Sequence, residues 1–210
     1  MCKVKRSLFC MVCVMSLSFG VLIAKEKKED NLRARIDVAG GDVVNMLPGK
    51  ASNGCHVENI TWGNGETNYF VITCETEKLS FKKWHKFTFS FIPQESGQVS
   101  IDLMSNYSNG GEGQINAHWI YYDDITVKGG KLINGSFDKI MNNFPRGWSG
   151  LPKNLVKKAS KFRPPSGSYV VKAWHNARVR QVIKVKEKEK VTITFKAMAC
   201  EFVPAYKLED

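Results

Sequence analysis

The fold is decided by the segment Trp119-Ile-Tyr-Tyr-Asp-Asp-Ile-Thr-Val127, followed by Lys128-Gly-Gly-Lys131 and then Leu132-Ile-Asn-Gly-Ser-Phe-Asp138. Apolar and polar residues alternate on both sides of the Gly-Gly pair. This pattern is typical of two β-strands that are joined by a tight turn. The segment therefore predicts a β-hairpin or a similarly tight connection between strands.

The same period of two recurs on both sides of this segment. In one run, Val191, Ile193, Phe195 and Ala197 share a phase, which predicts a strand with one face in a core and one in water. No stretch sustains a helical period for three turns, and Gly, Pro, Asn and Ser clusters separate the runs. An all-β, antiparallel β-sandwich is predicted. The other predicted strands are Leu32–Val38, Tyr69–Thr73, Phe87–Phe91, Val99–Leu103, Ser168–Trp174 and Val179–Val185.

The first 24 residues have the pattern of a secretory signal peptide. Lys3, Lys5 and Arg6 precede an uncharged run from Ser7 to Ala24, and the small Ala24 offers a cleavage site. The run is nearly long enough to span a bilayer, so an uncleaved membrane anchor is the alternative. The run of charged residues at 25–30 predicts a tether between the leader and the folded domain. We expect a secreted protein, extracellular or periplasmic, without membrane contact after cleavage.

The chain is basic, with 31 Lys and Arg residues against 20 Asp and Glu residues and a net charge of +11. Loss of Lys3, Lys5 and Arg6 with the leader lowers the charge to +8. Such a surface attracts anionic polymers in general. Aromatic residues do not interleave with the basic ones as they do in a groove for single-stranded nucleic acid, so we expect no nucleic-acid partner.

Three of the six cysteines lie beyond the leader, at positions 55, 74 and 200. Cys55 and Cys74 flank a polar, glycine-containing stretch, and in an exported protein they are candidates for a disulfide between neighbouring strands. Cys200 is then left unpaired or pairs elsewhere. No CxxC spacing is present, so a zinc–thiolate site is not predicted.

Two motifs in the opening segment resemble the two ends of a known module. In carbohydrate-binding modules of families 4, 9 and 22, which are galactose-binding-like jelly rolls, an "NGSFE…GW" segment opens the domain and a "YxDDVxL" strand closes it. Here the closing motif, Tyr121 to Val127, precedes the opening motif, Asn134 to Trp148. The order of the two motifs is therefore reversed.

Further segments resemble the same module in a consistent cyclic order. Residues 131–200 resemble its N-terminal half, through Gly167 to Lys172, Val179 to Val185 and Lys190 to Ala197. Residues 31–127 resemble its C-terminal half, through segments such as Trp84 to Phe91. Together the two halves span nearly all of the chain beyond the leader.

The resemblance implies a jelly roll that is circularly permuted, with 31–210 as one domain and Lys128–Lys131 joining the former termini. Such joins are tolerated where the first and last strands are neighbours. The alternative is two partial modules, 31–128 and 131–210. Each would lack several strands and expose long apolar edges, so the single permuted domain is favoured.

The resemblance also implies binding of a polysaccharide or glycan. Sugar rings stack on exposed aromatic side chains while polar groups at the rim hold the hydroxyls. Trp84 and Trp148 lie in framework motifs and are expected to pack. The candidate ligand-binding residues are Trp62 and Tyr107 in loop sequences, Trp119, and the strand-end group Trp174, His175 and Asn176.

A structural calcium ion is the predicted cofactor. Asp123 and Asp124 come close to Asp138 if the strands on either side of the Gly-Gly turn pair, and clustered carboxylates favour a cation. Modules of the family that the chain resembles often carry calcium near their first and last strands. The residues leave open which aspartate binds the ion. The alternative is that the carboxylates cap loops or pair with Lys131 and Lys139.

No catalytic motif is evident in the sequence. The four histidines form no spaced pair, no Glu-x-Asp-x-x-Glu strand is present, and no glycine-rich loop could hold a phosphate. We therefore expect a non-catalytic carbohydrate-binding protein, of undetermined oligomeric state. A cell-surface or assembly protein that uses the same fold for protein contacts is the alternative, and a small secreted glycan-active enzyme is a third class.

Overall fold

The structure, a computed structural model, describes residues 32–40, 45–62, 69–106, 109–111, 114–115, 118–157, 163–200 and 206–207. By internal contacts the chain divides into two units, Met1–Asp30 and Asn31–Asp210. The predicted signal peptide and tether fall in the first unit and lie outside the described residues.

The regular secondary structure of the described residues is β-strand, apart from one short 3-10 turn at Pro152–Asn154. No helix in these ranges is long and apolar enough to cross a membrane. The strands are β1 (Ala34–Gly40), β2 (Met46–Ala51), β3 (Cys55–Trp62), β4 (Tyr69–Thr76), β5 (His85–Pro93), β6 (Gly97–Ser105), β7 (Asn109–Gly111), β8 (Gln114–Ile115), β9 (Ile120–Lys128), β10 (Ile140–Met141), β11 (Phe144–Pro145), β12 (Leu155–Lys157), β13 (Tyr169–Ala173), β14 (Val179–Val185), β15 (Val191–Ala199) and β16 (Tyr206–Lys207).

Two large antiparallel sheets form a β-sandwich, as the strand pattern predicted. The five-stranded sheet has the order β14-β6-β1-β4-β3, and the six-stranded sheet has the order β12-β13-β9-β15-β5-β2. Smaller sheets pair β10 with β11 and join β16, β8 and β7. The all-β class is therefore confirmed.

The two large sheets draw strands from both sides of the Gly129–Gly130 turn. In the six-stranded sheet β15 lies between β9 and β5, and in the five-stranded sheet β14 pairs with β6. Each half of the chain therefore supplies strands to both sheets. The permutation itself, and the jelly-roll topology, stay predictions.

The core lies between the sheets and follows the predicted alternation. In β15 every second residue from Val191 to Ala197 is buried. Phe195 packs on Phe87 and Tyr122, with ring centroids 5.5 and 6.1 Å apart. The buried Tyr122 hydroxyl crosses the core and bonds to the backbone of Arg35 and to the Met104 carbonyl of the opposite sheet. One aromatic residue thus ties the two layers together.

The second arm of the opening segment, Leu132 to Asp138, is not a strand, so the hairpin prediction is wrong. Asn134 and Phe137 have φ angles of 54° and 60°, in the left-handed region and outside the range of regular β-structure. Gly135 lies so close to the carbonyl of Ile125 that a Cβ atom would be 1.8 Å from its oxygen. The segment instead turns back on β9, where Ile125 N–H donates to Gly135 O at 3.0 Å.

The structure contains a disulfide bond between Cys55 and Cys74, the pair suggested by the sequence. It joins the neighbouring strands β3 and β4 within the five-stranded sheet. Cys200 is buried beside Trp119 and Trp174 at the end of β15.

Candidate functional site: a polar depression beside β14

A tight turn at Trp174–Ala177 carries the chain from β13 in one sheet to β14 in the other. Trp174 and Ala177 exchange backbone hydrogen bonds across the turn. The buried Asn154 amide donates to the carbonyls of Lys172 and Ala177, at 2.7 and 2.9 Å. The fully buried side chain of Asn154 therefore fixes the backbone of the turn that carries His175 and Asn176.

An open depression of about 370 Å³ lies next to this turn, lined by Ser149, Gly150, Arg178 and Arg180. Ser149 and Arg180 exchange two backbone hydrogen bonds of 2.8 Å. This pairing fixes the Ser149–Gly150 segment against the free edge of β14.

The buried carboxylate of Asp102 sets the orientation of both arginines. Arg180 Nε and Nη2 donate to its two oxygens at 2.6 Å each, and Arg178 Nη1 donates to Oδ2 at 3.2 Å. The Asp102 side chain is 3% exposed, whereas those of Arg178 and Arg180 are 53% and 42% exposed. One end of each guanidinium is thus held by the protein while the rest faces solvent.

The sequence places these groups together through strand register. Val179, Gln181 and Ile183 of β14 face the core, so Arg180 faces outward. Arg180 pairs with Asp102 of β6 in the ladder, and directly opposed residues share a face. The alternation of β14 and its register on β6 are therefore sufficient to build the ion pair.

His175 lies close to this charged group. Burial lowers its pKa from the ordinary value, and the charges of Arg35 and Arg178 lower it further, against an opposing effect of Asp37. The imidazole is therefore neutral near pH 7, with both donor and acceptor capacity. Asn176, the next residue, is exposed.

Trp119 and Trp174 were predicted as sugar platforms, and the structure corrects this. They are only 7% and 6% exposed, and their rings pack on each other with centroids 5.9 Å apart. The ammonium of Lys172 lies 4.7 Å from the Trp119 ring centroid and covers it further. The reason is that the strand ends β9 and β13 are neighbours, so their aromatic residues meet each other rather than solvent.

The other two predicted platforms are outside what the structure describes. Tyr107 lies outside the described residues, and for Trp62 only the backbone is described, paired with Tyr69 at the end of the β3–β4 hairpin. Their roles stay predictions. Trp148 is 7% exposed and packs on Phe137 at 5.1 Å, which agrees with its expected framework role.

The three aspartates predicted to bind calcium are used by the protein itself. Asp123 accepts hydrogen bonds from the N–H and hydroxyl of Ser166, and Asp138 accepts from the backbone N–H groups of Ser168 and Tyr169. The bonds of Asp123 hold Ser166 against β9, and those of Asp138 hold the segment after the Gly-Gly turn against the start of β13.

The Asp124 carboxylate forms an ion pair with Lys196 at 2.9 Å. No group of three or more His, Cys, Asp or Glu side chains in the described ranges could hold a metal ion. The donors around these carboxylates fit loop capping, the alternative considered for them, and do not fit a calcium site.

His85 lines a second, smaller cavity of about 260 Å³ and contacts a serine there. Ser80 Oγ lies 2.9 Å from His85 Nε2, and burial followed by the charge of Lys83 lowers the pKa of His85. A nucleophilic pair needs a third group that orients the imidazole. No carboxylate hydrogen-bonded to His85 Nδ1 is found in the part of the chain that the structure describes, so the contact does not make a catalytic set.

The arginines were not predicted from the sequence, although a signal was present. In Ala177-Arg-Val-Arg-Gln181 the two arginines share the outward phase of a strand whose other phase is apolar. Two cations that are neighbours on the outward face of one strand repel each other, so such a pair indicates that an anion lies near them in the fold. The missing information was the position of Asp102, which only the register with β6 supplies.

No protein-family model matches the chain, and no curated protein or solved structure is found to match it either. The likeness to carbohydrate-binding modules therefore stays a prediction.

Proposed function

We propose that the chain is an exported, non-catalytic carbohydrate-binding protein whose glycan lies in the polar depression beside β14. The observation that carries this proposal is the depression itself. It is open, is lined by Ser149, Gly150, Arg178 and Arg180, and is fixed to the edge of a rigid β-sandwich.

The chemistry of this surface suits sugar hydroxyls. A hydroxyl both donates and accepts, and guanidinium, amide, imidazole and hydroxyl groups supply partners of both kinds. Asn176 and His175 lie on the turn beside the depression, and Asn154 holds that turn in place. Polar groups that are fixed before binding keep the entropic cost of binding low.

In this proposal, Trp62 and Tyr107 are the aromatic residues that stack on the sugar rings. Trp119 and Trp174 are removed from it because they are buried. Secretion through cleavage after residue 24 is part of the same proposal, supported by the basic start and apolar run of the leader.

A protein-contact function is the second candidate, and one observation favours it. Of the seven exposed large apolar side chains in the described residues, four come from the stretch 133–151. Apolar groups clustered in one stretch are typical of a docking surface. They are Ile133, Ile140, Met141 and Leu151.

Native affinity electrophoresis through gels that contain xylan, β-glucan, galactan or pectin tests the proposal. We expect retardation on at least one polymer, with smaller retardation for His175→Ala and Asn176→Ala. Thr126→Ala, an exposed change on the other sheet, is the matched control and is expected to migrate like the unmodified protein. Absence of retardation on every polymer would overturn carbohydrate binding and favour the protein-contact function.

A further inference from the structure

The charges that meet at the depression do not cancel. Arg178 and Arg180 bring two positive charges, and Asp102 brings one negative charge. Asp102 accepts two short bonds from Arg180, so this pair is neutral and geometrically complete. Arg178 is the surplus cation.

The neighbouring groups leave this surplus in place. Arg35 and Asp37 form their own bidentate pair, with distances of 2.8 and 2.9 Å, and contribute no net charge. His175 is neutral because burial and the nearby arginines lower its pKa. Arg178, Arg180 and Asp102 together therefore bring a net charge of +1 to the depression.

Arg178 also has donors to spare. Only its Nη1 has a partner in the described part of the chain, the Asp102 oxygen at 3.2 Å. The side chain is 53% exposed, so the other N–H groups point to accessible space. A guanidinium with free donors matches the paired oxygens of a carboxylate or sulfate more closely than a single hydroxyl does.

Gly150 lets the backbone at the border of the depression lie close to Arg178. A Cβ atom at this position would lie 2.8 Å from the Phe144 ring and 3.4 Å from the carbonyl of Arg178. The backbone thus approaches the arginine strand closely without a side chain between them. The volume of about 370 Å³ lies in the range of small-molecule sites.

We infer that the depression binds an acidic sugar unit, with Arg178 as the residue that contacts its carboxylate or sulfate group. The inference rests on the proposed carbohydrate-binding function and names its ligand class. Asp102 positions the arginines, Arg180 neutralises Asp102, and Arg178 is left to recognise the anion. The Ser149 hydroxyl donates to the Arg180 carbonyl at 3.3 Å, so its oxygen can accept a hydrogen bond from the same sugar.

The test uses the full secreted chain and four polymers: polygalacturonate, the same polymer after reduction of its carboxyl groups, dextran sulfate, and neutral galactan. Dissociation constants are measured for the unmodified protein, Arg178→Gln and Arg178→Lys. Lys184→Gln removes one exposed cation from β14, the strand that begins directly after Arg178, and is the matched control. Circular dichroism and thermal unfolding verify that each variant is folded.

We expect Arg178→Gln to weaken binding to polygalacturonate about tenfold or more, with Arg178→Lys in between. We expect Lys184→Gln to change it less than twofold, because a general attraction to polyanions does not depend on one residue. Reduction of the carboxyl groups should remove the dependence on Arg178. The same dependence on dextran sulfate instead would support the inference with a sulfate ester as the natural anion.

Three outcomes overturn the inference. In the first, the protein binds neutral galactan as tightly as the acidic polymers, and Arg178→Gln does not change that binding. This result would support the proposed carbohydrate-binding function but would contradict the acidic ligand. Equal losses for Arg178→Gln and Lys184→Gln would show unspecific attraction to polyanions. Absence of binding to all four polymers would remove the proposed function and the inference together.

Discussion

Two buried carboxylates, one on each sheet, are compensated in different ways. Asp102 of the five-stranded sheet is 2% exposed and accepts three hydrogen bonds from two guanidinium groups. Asp123 of the six-stranded sheet is fully buried and accepts three hydrogen bonds from neutral donors, two of Ser166 and the N–H of Asp124. The number of bonds is equal, but only one carboxylate meets a positive charge.

The difference shows that hydrogen bonds alone do not offset the burial of a charge. Burial raises the pKa of Asp123 to about 6, although the donors of Ser166 and Asp124 oppose the shift. Neutral dipoles return only part of the solvation that a buried anion loses. Asp102 therefore ties arginines to a binding surface, whereas Asp123 ties down a loop that we expect to respond to pH.

Removal of Arg180 is expected to have the largest effect. Arg180→Met leaves Asp102 buried with one long bond to Arg178, and we expect a loss of about 4 kcal/mol in the free energy of unfolding. Arg178→Met leaves the bidentate pair intact and should cost less than about 1 kcal/mol. Urea denaturation measures both, and equal losses would contradict the assignment of Asp102 to Arg180.

The pH dependence of stability is expected to follow Asp123. Its pKa is about 6 in the folded protein against 3.8 for the free group, so the folded state binds the proton more tightly. The resulting stability is complete below pH 3.8 and is lost as the pH rises through 6, by about 3 kcal/mol at most.

Asp123→Asn removes this titration and is the control for it. From pH 4 to pH 7, the unfolding free energy of the unmodified protein should fall relative to that of Asp123→Asn. A difference that stays constant over this range would show that the burial of Asp123 does not affect its ionisation.

Loss of one neutral donor to Asp123 is expected to have an intermediate effect. Ser166→Ala removes the hydroxyl that donates to Asp123 Oδ1 at 2.8 Å, and we expect a cost of about 1 kcal/mol at pH 7. Ser168→Ala is the matched control because Ser168 contributes only its backbone N–H, to Asp138. Thermal unfolding of both variants decides, and equal shifts would contradict a role for the Ser166 hydroxyl.

The exposed pair Lys196–Asp124 is expected to contribute least. Its side chains are 30% and 42% exposed, and such pairs are worth about 0.5 kcal/mol. Lys196→Ala should therefore lower stability slightly, and 1 M NaCl should remove the difference. Lys128→Ala, an exposed change on β9, is the control. A loss for Lys196→Ala that persists at high salt would show a packing role instead.

The strands were predictable from the sequence because their alternation is local information. β14 has the bounds that the pattern predicted, Val179 to Val185, and β15 extends the prediction by two residues to Ala199. β3 was missed because its sequence, from Cys55 to Trp62, mixes polar and apolar residues on both faces. A strand at the edge of a sheet needs no clean apolar phase.

The candidate site was less predictable because it depends on which strands are neighbours. Trp119 and Trp174 each occupy a strand end, where exposure is common, but β9 and β13 pair and bring them together. Asp102 is an isolated acidic residue in its strand, and no residue near it in the sequence indicates that Arg180 is its partner. Exposure and ion pairing are set by tertiary register, which periodicity does not contain.

The place of β15 in the middle of the six-stranded sheet has a consequence for the order of folding. Strand β15 (Val191–Ala199) separates β9 from β5, so these two strands have no common neighbour until β15 has been synthesised. Contacts of such long sequence separation form late. The six-stranded sheet is therefore completed only after β15 is available to pair with both β9 and β5.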